Sequence, residues 1–301
     1  MKQIPSISQY CQAFLLAVLA QMLTACGSSD EYKWEMWDSS QQDEMPVSVV
    51  TEDGVQEDLK AGSSLGLYVI NDDGTVTWMT VAVDKDGNII LPPEAQSGKV
   101  IAYTPVQPGW GVEAFTTEQR FEVQSDQSRQ ADYDASDLMI GMASVIKTRA
   151  AEVELQLKHM MAKVVVHIVD ETGAIDPDKV SIRLLGMAGT VNVNLAAMSV
   201  STVSNSLVDI DMLPYNLTDR RISMEAIVAP QTKQAGDVFL EFTVDGSHRS
   251  CPMPTTEVLE DNKTFVYQMR YGDEGLVPDG NYIVDWENDG TETEFEIRTN
   301  K

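Results

Sequence analysis

The residue types suited to chemistry in this chain are three histidines, three cysteines and a large surplus of acids, and most of the pairings they offer fail on spacing. His159 and His167 fall in one strand-like run, where about 3.3 Å per residue sets them roughly 26 Å apart, too far for a single ion. Asp84, Asp86 and Asn88 imitate the first half of a calcium loop. Ile89 then stands where the sharp-turn glycine belongs, and Ala95 where the bidentate acid belongs, so the stretch is expected to be a hairpin turn between residues 81–83 and 89–91. His248 and Cys251 are close enough in sequence for a thiol–imidazole pair, but no third group or nucleophile motif accompanies them. There is no Gly-x-Ser-x-Gly, no His-Glu-x-x-His and no phosphate-binding glycine loop. The expectation is a protein that is not an enzyme and uses neither cofactor nor metal.

The cysteine with a clear chemical context is Cys26. Leu23-Thr24-Ala25-Cys26 follows the apolar run from Phe14 to Ala20 and a start whose only basic residue is Lys2. That is the shape of a secretory signal, and the apolar run is shorter than the roughly 20 residues needed to span a bilayer. The four residues resemble a bacterial lipobox, which implies cleavage before Cys26, diacylglycerol on its thiol and an acyl group on the new amino terminus. Several acyl chains hold a protein durably where one does so only marginally. Cys11 leaves with the signal, so Cys251 remains alone and no intrachain disulfide framework is available.

A net charge of −26 excludes nucleic acid as a partner, because phosphate contacts need a basic face. With 43% hydrophobic residues the acidity reads as a solvated surface around a core rather than as disorder. Residues 1–25 are assigned to the signal and residues 26–45 to an acidic, serine-bearing tether. Two folded domains follow, at 46–148 and 149–301, divided where Lys147, Thr148 and Arg149 interrupt the apolar pattern.

Beyond Pro46 the pattern is β almost throughout, with short runs of Val, Ile, Thr, Tyr and Phe between turn residues. Asp-Gly pairs at 53–54, 73–74, 86–87, 245–246, 279–280 and 289–290 each favour a tight reversal. Short helices are expected at 133–142 and near 194–198. The most legible strand runs from Val153 to Val169. Its apolar phase passes from Val153, Leu155 and Leu157 to Met160, Ala162, Val164 and Val166, which predicts a bulge near His159. Trp110, in a Pro/Gly loop, is the best candidate for an exposed aromatic that stacks on a sugar or a partner, although such a tryptophan more often plugs the end of a sandwich. At the far end Phe295 and Ile297 alternate with Glu294, Glu296 and Arg298, as a strand completing this fold or donated to a neighbour would.

Several segments then resemble a known family. Phe121-Glu-Val-Gln-Ser-Asp126-Gln127-Ser128 with Tyr133-Asp-Ala-Ser136-Asp137-Leu138-Met139 looks like the "DQS … Y … SDLM" signature of the fimbrillin-like lipoproteins of Gram-negative gut and oral anaerobes, which include type V pilus subunits. Val153 to Val164 resembles that family's "V-x-L-x-F-x-H-x-x-A-K-V" strand, and Ala226 to Gln231 and Trp286 fit as well. The resemblance implies an all-β chain of two transthyretin-like antiparallel β-sandwich domains in tandem, lipid-anchored in the outer membrane at the cell surface, or in the fimbrium if processed. Its implied partners are other fimbrial subunits, as homo- or heteropolymer, together with host or bacterial surface proteins or glycans. Assembly would proceed by strand exchange, in which the groove left by a missing strand is filled by a neighbour's, with Phe295 and Ile297 as the candidate donor residues. Stalk subunits of the family are first trimmed by an arginine-specific protease, yet no Arg lies between Cys26 and Arg120. An untrimmed anchor or accessory subunit therefore stays open beside a stalk subunit, and a glycan-binding surface lipoprotein using Trp110 is the alternative from another class.

Overall fold

The computed structural model describes residues 45–51, 59, 61–91, 98–145, 153–218, 220–273 and 275–286. Cys26, Phe295, Ile297 and the Asp-Gly pairs at 53–54 and 289–290 lie outside them. Residues 44–301 cluster as one compact unit, and the fold within it is all-β.

The first sheet has seven strands. They are β1 (Met45–Thr51), β2 (Ser64–Ile70), β3 (Val76–Ala82), β4 (Asn88–Leu91), β5 (Gly98–Thr104), β7 (Met139–Val145) and β8 (Val153–His159), in spatial order β3-β2-β5-β7-β8-β1-β4. All neighbours are antiparallel except β1 and β8, which run parallel with Val47 opposite Val153 and Thr51 opposite Leu157. The sheet cannot be flat. Its edge strands β3 and β4 are joined by residues 83–87 alone, whose reach is about 20 Å, whereas seven flat strands would part their edges by about 29 Å. The sheet therefore curls around an interior of Val47, Val49, Leu65, Leu67, Val69, Ile89, Leu91, Val100, Leu155 and Leu157.

Asp84 makes the connecting turn, its Oδ1 accepting from the Asp86 and Asn88 amides at 2.8 Å each. The expected hairpin is corrected here: β3 pairs with β2 and β4 with β1, so the turn joins the sheet's two edges rather than two bonded strands. Asp73-Gly74 and Asp245-Gly246 do turn true hairpins, while Gly280 sits at φ +131° inside a strand beside a register shift.

The second half is built on β9 (Ala162–Asp170). A five-stranded sheet has the order β14 (Leu213–Thr218), β15 (Arg221–Val228), β9, β20 (Lys263–Gly272), β21 (Gly275–Asp285), with β9 and β20 parallel. A four-stranded sheet orders β13 (Leu207–Asp211), β10 (Val180–Ala188), β17 (Val238–Val244) and β18 (Ser247–Pro252). β12 (Ser199–Thr202), β11 (Thr190–Asn194) and β6 (Gln119–Glu122) form a third sheet, and β16 (Gln231–Lys233) pairs with β19 (Glu257–Leu259). One apolar cluster fills the space among these sheets and also takes in Tyr68, Ile101, Tyr103 and Ile140 from the outer face of the first sheet.

The phase shift read near His159 is real, but it is a change of sheet rather than a bulge. β8 ends at His159 in the first sheet, and β9 starts at Ala162 in the five-stranded one. The crossing is held by Met160 N to Leu138 O and by Asn262 N to Met161 O, both 2.8 Å. β8, expected to open the C-terminal domain, is thus bonded to β1 and β7, on the N-terminal side of the change. Gly141 permits that pairing, since a Cβ there would lie 2.1 Å from the Gln156 carbonyl oxygen. The single α-helix among the described residues, α1 (Gln130–Ser136), begins earlier than expected and gives way to β7, whereas residues 195–198 form turns.

Candidate functional site: the slot of the first strand and the motif residues beside it

β1 occupies a slot between β8 and β4. It takes five registered positions from β8 and four from β4, and Val47 and Val49 are 1% and 0% exposed, packed with Ile89, Leu91, Leu155 and Leu157. Removing such a strand would leave β4 without its ladder partner, free one edge of β8 and open an apolar channel. Burial of the two valines contributes roughly 3–6 kcal/mol, so an incoming strand would have to match that with side chains of similar size and a continuous ladder.

The signature residues lie away from the slot and join the two halves. Asp126 Oδ1 accepts from the amide and hydroxyl of Ser128, at 3.1 and 2.6 Å, which turns the chain so that Gln127 points inward. Gln127 is fully buried. Its Nε2 donates to Ile227 O at 2.8 Å and its Oε1 accepts from Ile227 N at 2.8 Å. β14 stops pairing with β15 at Glu225, and the Gln127 amide stands in for the strand that is missing beside Ile227. Ser136, also buried, accepts from Gln124 N at 3.0 Å and donates to Asp132 O at 2.9 Å, tying α1 to the same segment.

Asp137, at the end of α1, meets the other motif strand: its Oδ1 lies 2.8 Å from His159 Nδ1. The His159 ring stacks on Trp286 with centroids 4.0 Å apart and planes at 16°, and Lys163 Nζ sits 4.9 Å from the indole centre. His159, Lys163 and Trp286 are all less than a tenth exposed. Three stretches far apart in sequence thus converge where β8 hands over to β9. His167 is a separate structural group, its Nδ1 2.8 Å from Ser223 Oγ.

Trp110 takes the commoner of the two roles open to it, as a plug rather than an exposed stacking face. It is 4% exposed, and its ring packs at 5.0 Å on Tyr103, which itself stacks on Tyr68 at 5.9 Å. The Pro/Gly loop folds back onto the first sheet because the tyrosines provide a broad apolar bed, and Gly66 leaves room for it: a Cβ there would come within 2.2 Å of the Tyr103 ring. Tyr68 Oη donates to Gly111 O at 3.1 Å and closes the loop. Burial raises the phenol pKa of both tyrosines above its usual value.

The thiol–imidazole pair does not form. His248 Nδ1 bonds Thr243 Oγ1 at 3.1 Å, Cys251 Sγ lies against Pro252 O at 3.7 Å, and burial pushes the thiol pKa up. Burial likewise pulls Lys233 down; its ammonium donates to the Leu185 and Gly186 carbonyls at 3.2 and 3.0 Å, where β10 shifts register. Sequence reasoning missed the roles of Gln127 and Lys233. The signal available for the first was an amide between two turn-forming residues, with nothing local to bond.

Comparisons with known proteins agree with this architecture. No curated protein matches. Among solved structures, a candidate cell adhesion protein from Bacteroides uniformis is similar at 14% identity and TM-score 0.61, over 82% of this chain and 99% of its own. Another from Bacteroides ovatus is similar at 16% identity and TM-score 0.61, over 81% and 96%. The C-terminally truncated tip fimbrial protein Mfa3 from Porphyromonas gingivalis is similar at 11% identity and TM-score 0.52, over 81% and 99%. At such identities the likeness is one of fold. The family model described as fimbrillin-like matches residues 39–286, which takes in β1, Gln127 with its Ile227 partner and the stacked Trp286, and the chain belongs to the fimbrillin-like family.

Proposed function

We propose that this chain is a structural, non-catalytic fimbrial subunit or anchor, carried to the cell surface as a lipoprotein with its lipid on Cys26 and assembled with other fimbrial subunits by strand exchange. The observation that carries the reading is the placement of β1. The first strand after the acidic tether is inserted between two strands that come later in the chain, and it fills an apolar channel with two valines. A tandem of transthyretin-like sandwiches fits the recurrence of one device, a parallel pair set in an otherwise antiparallel sheet, as β1 with β8 and again as β9 with β20. Lipid on Cys26 accounts for a tether between the apolar signal and β1, and the outer membrane is the expected site of that anchor. Phe295 and Ile297 are the proposed donor residues.

The test is a protease site placed within residues 52–58, so that β1 can leave after cleavage. Cleaved protein should polymerise on size-exclusion chromatography while intact protein stays monomeric, and deletion of residues 294–301 should abolish the polymers. Cleaved protein that remains monomeric in the presence of intact donor would overturn strand exchange into this slot. For the anchor, Cys26→Ala should move the chain out of the membrane fraction and end its labelling by fatty acid; persistence of both would overturn the lipid assignment.

A further inference from the structure

The two faces of the β1 slot make different demands on a strand that fills it. Positions 47 and 49 turn inward and are closed to water. Position 48 turns outward, opposite Glu154 on β8 and Asn88 on β4, and position 50 is opposite Gln156. Glu154 is exposed, and the one lysine of β8, Lys158, is engaged elsewhere, by Asp261 at 3.1 Å. Any strand in the slot therefore sets its outward residue at position 48 directly against a carboxylate.

Strand exchange, on which this inference rests, brings Phe295-Glu296-Ile297-Arg298-Thr299 of a second copy to the slot, running as β1 does so that both ladders are kept. Ile297 can take the place of either valine. If it replaces Val49, Phe295 replaces Val47 and drives a ring into a valine-sized site opposite Ile89, while Glu296 lands at position 48 against Glu154. Two residues along, Ile297 replaces Val47 and Thr299 replaces Val49. Both incoming residues are then β-branched like the valines they displace, and Phe295 moves out to position 45, opposite Leu91 at the end of the ladder. Arg298 lands at position 48, an opposite charge facing Glu154. The cost is one buried hydroxyl, against an overpacked ring and a like-charge pair in the other register. We infer that the donated strand enters with Ile297 in the place of Val47, and that Glu154 selects this register by pairing with Arg298 of the donor.

The experiment uses the full chain with the protease site at residues 52–58, cleaved and followed by size-exclusion chromatography. Glu154→Arg and Arg298→Glu should each cut the polymer yield roughly fivefold or more, and the two together should restore it to within about twofold of wild type. Uncleaved Glu154→Arg protein should melt as wild type, since the side chain is exposed. Disulfides mapped by mass spectrometry in a Cys251→Ser background read the register directly: Glu154→Cys should link to Arg298→Cys of the neighbouring copy and not to Glu296→Cys. Polymers indifferent to Glu154→Arg, a double variant as poor as either single one, or linkage through position 296 would each overturn the role of Glu154 and leave strand exchange standing. Cleaved wild-type protein that forms no polymer would overturn both.

Discussion

β1 and β9 are both flanked by one parallel and one antiparallel neighbour, yet they are built to different strengths. β9 has nine residues, eight of them buried, and is registered over eight positions with β15 and eight with β20. β1 has seven residues, with five registered positions on β8 and four on the short β4. The same topology thus gives a permanent spine in one half and a lightly held insert in the other. Local stability follows buried contacts and ladder length, so the two strands should respond differently to damage of similar kind.

The largest effect is expected at the spine. Val166→Asp places a charge at 0% exposure without a partner and should cost more than about 4 kcal/mol, enough to abolish cooperative unfolding in a denaturant titration. Wild-type stability would show that β9 is not the spine. Next is Gln127→Ala, which strands Ile227 N and O at about 1–3 kcal/mol for each group and should lower the urea midpoint accordingly. Smaller again is Val49→Ala, at about 1.5–3 kcal/mol and with the loss confined to the insert. Hydrogen exchange at residues 45–51 should quicken while the global melting temperature moves little, and an equal fall in both would erase the contrast.

The smallest effect is a pH dependence at the end of β9. Burial raises the Asp170 carboxyl pKa, but hydrogen bonds from the amides of Ile175, Thr172 and Gly173 and from the Thr172 hydroxyl outweigh it and hold the pKa below the usual 3.8. A depressed pKa stabilises the fold fully above about pH 4, and the contribution is lost as the pH falls through the lower folded value. Asp170→Asn should remove that slope from the acid limb of the stability profile; an unchanged limb would assign it to other carboxylates.

These contrasts bear on what could be read beforehand. Alternation identified the buried face of Leu155 and Leu157, both at 0% exposure, because one-sided burial writes a period of two into the chain, whereas Val164 and Val166 lie on β9, which is buried on both faces. Periodicity reports which face a side chain takes and not which sheet its strand joins, so the change of sheet after His159 looked like a bulge. The Asp84 turn was found from its residues, but its flanking strands were paired wrongly, because pairing is settled by strands distant in sequence. Trp110 left two roles open for a related reason. Its Pro/Gly neighbours say only that the chain turns, while the tyrosines that bury the ring lie on β2 and β5. The roles of Gln127 and Asp137 were visible only as motif membership, since their partners Ile227 and His159 are 100 and 22 residues away.

The five-residue link from β3 to β4 has a mechanical consequence. β4 is only four residues long and would be a poor wall if it were free to swing. The Asp84 turn tethers its start to the end of β3, and β3 is zipped to β2 over seven positions, so the far side of the channel is leashed at one end even though its ladder partner is β1. In the proposed exchange an arriving strand would meet a wall already tethered at one end, which lowers the ordering cost of the wall but leaves its ladder to be rebuilt. Lengthening residues 83–87 with glycines should leave the closed fold nearly as stable while slowing recapture of any strand into the channel.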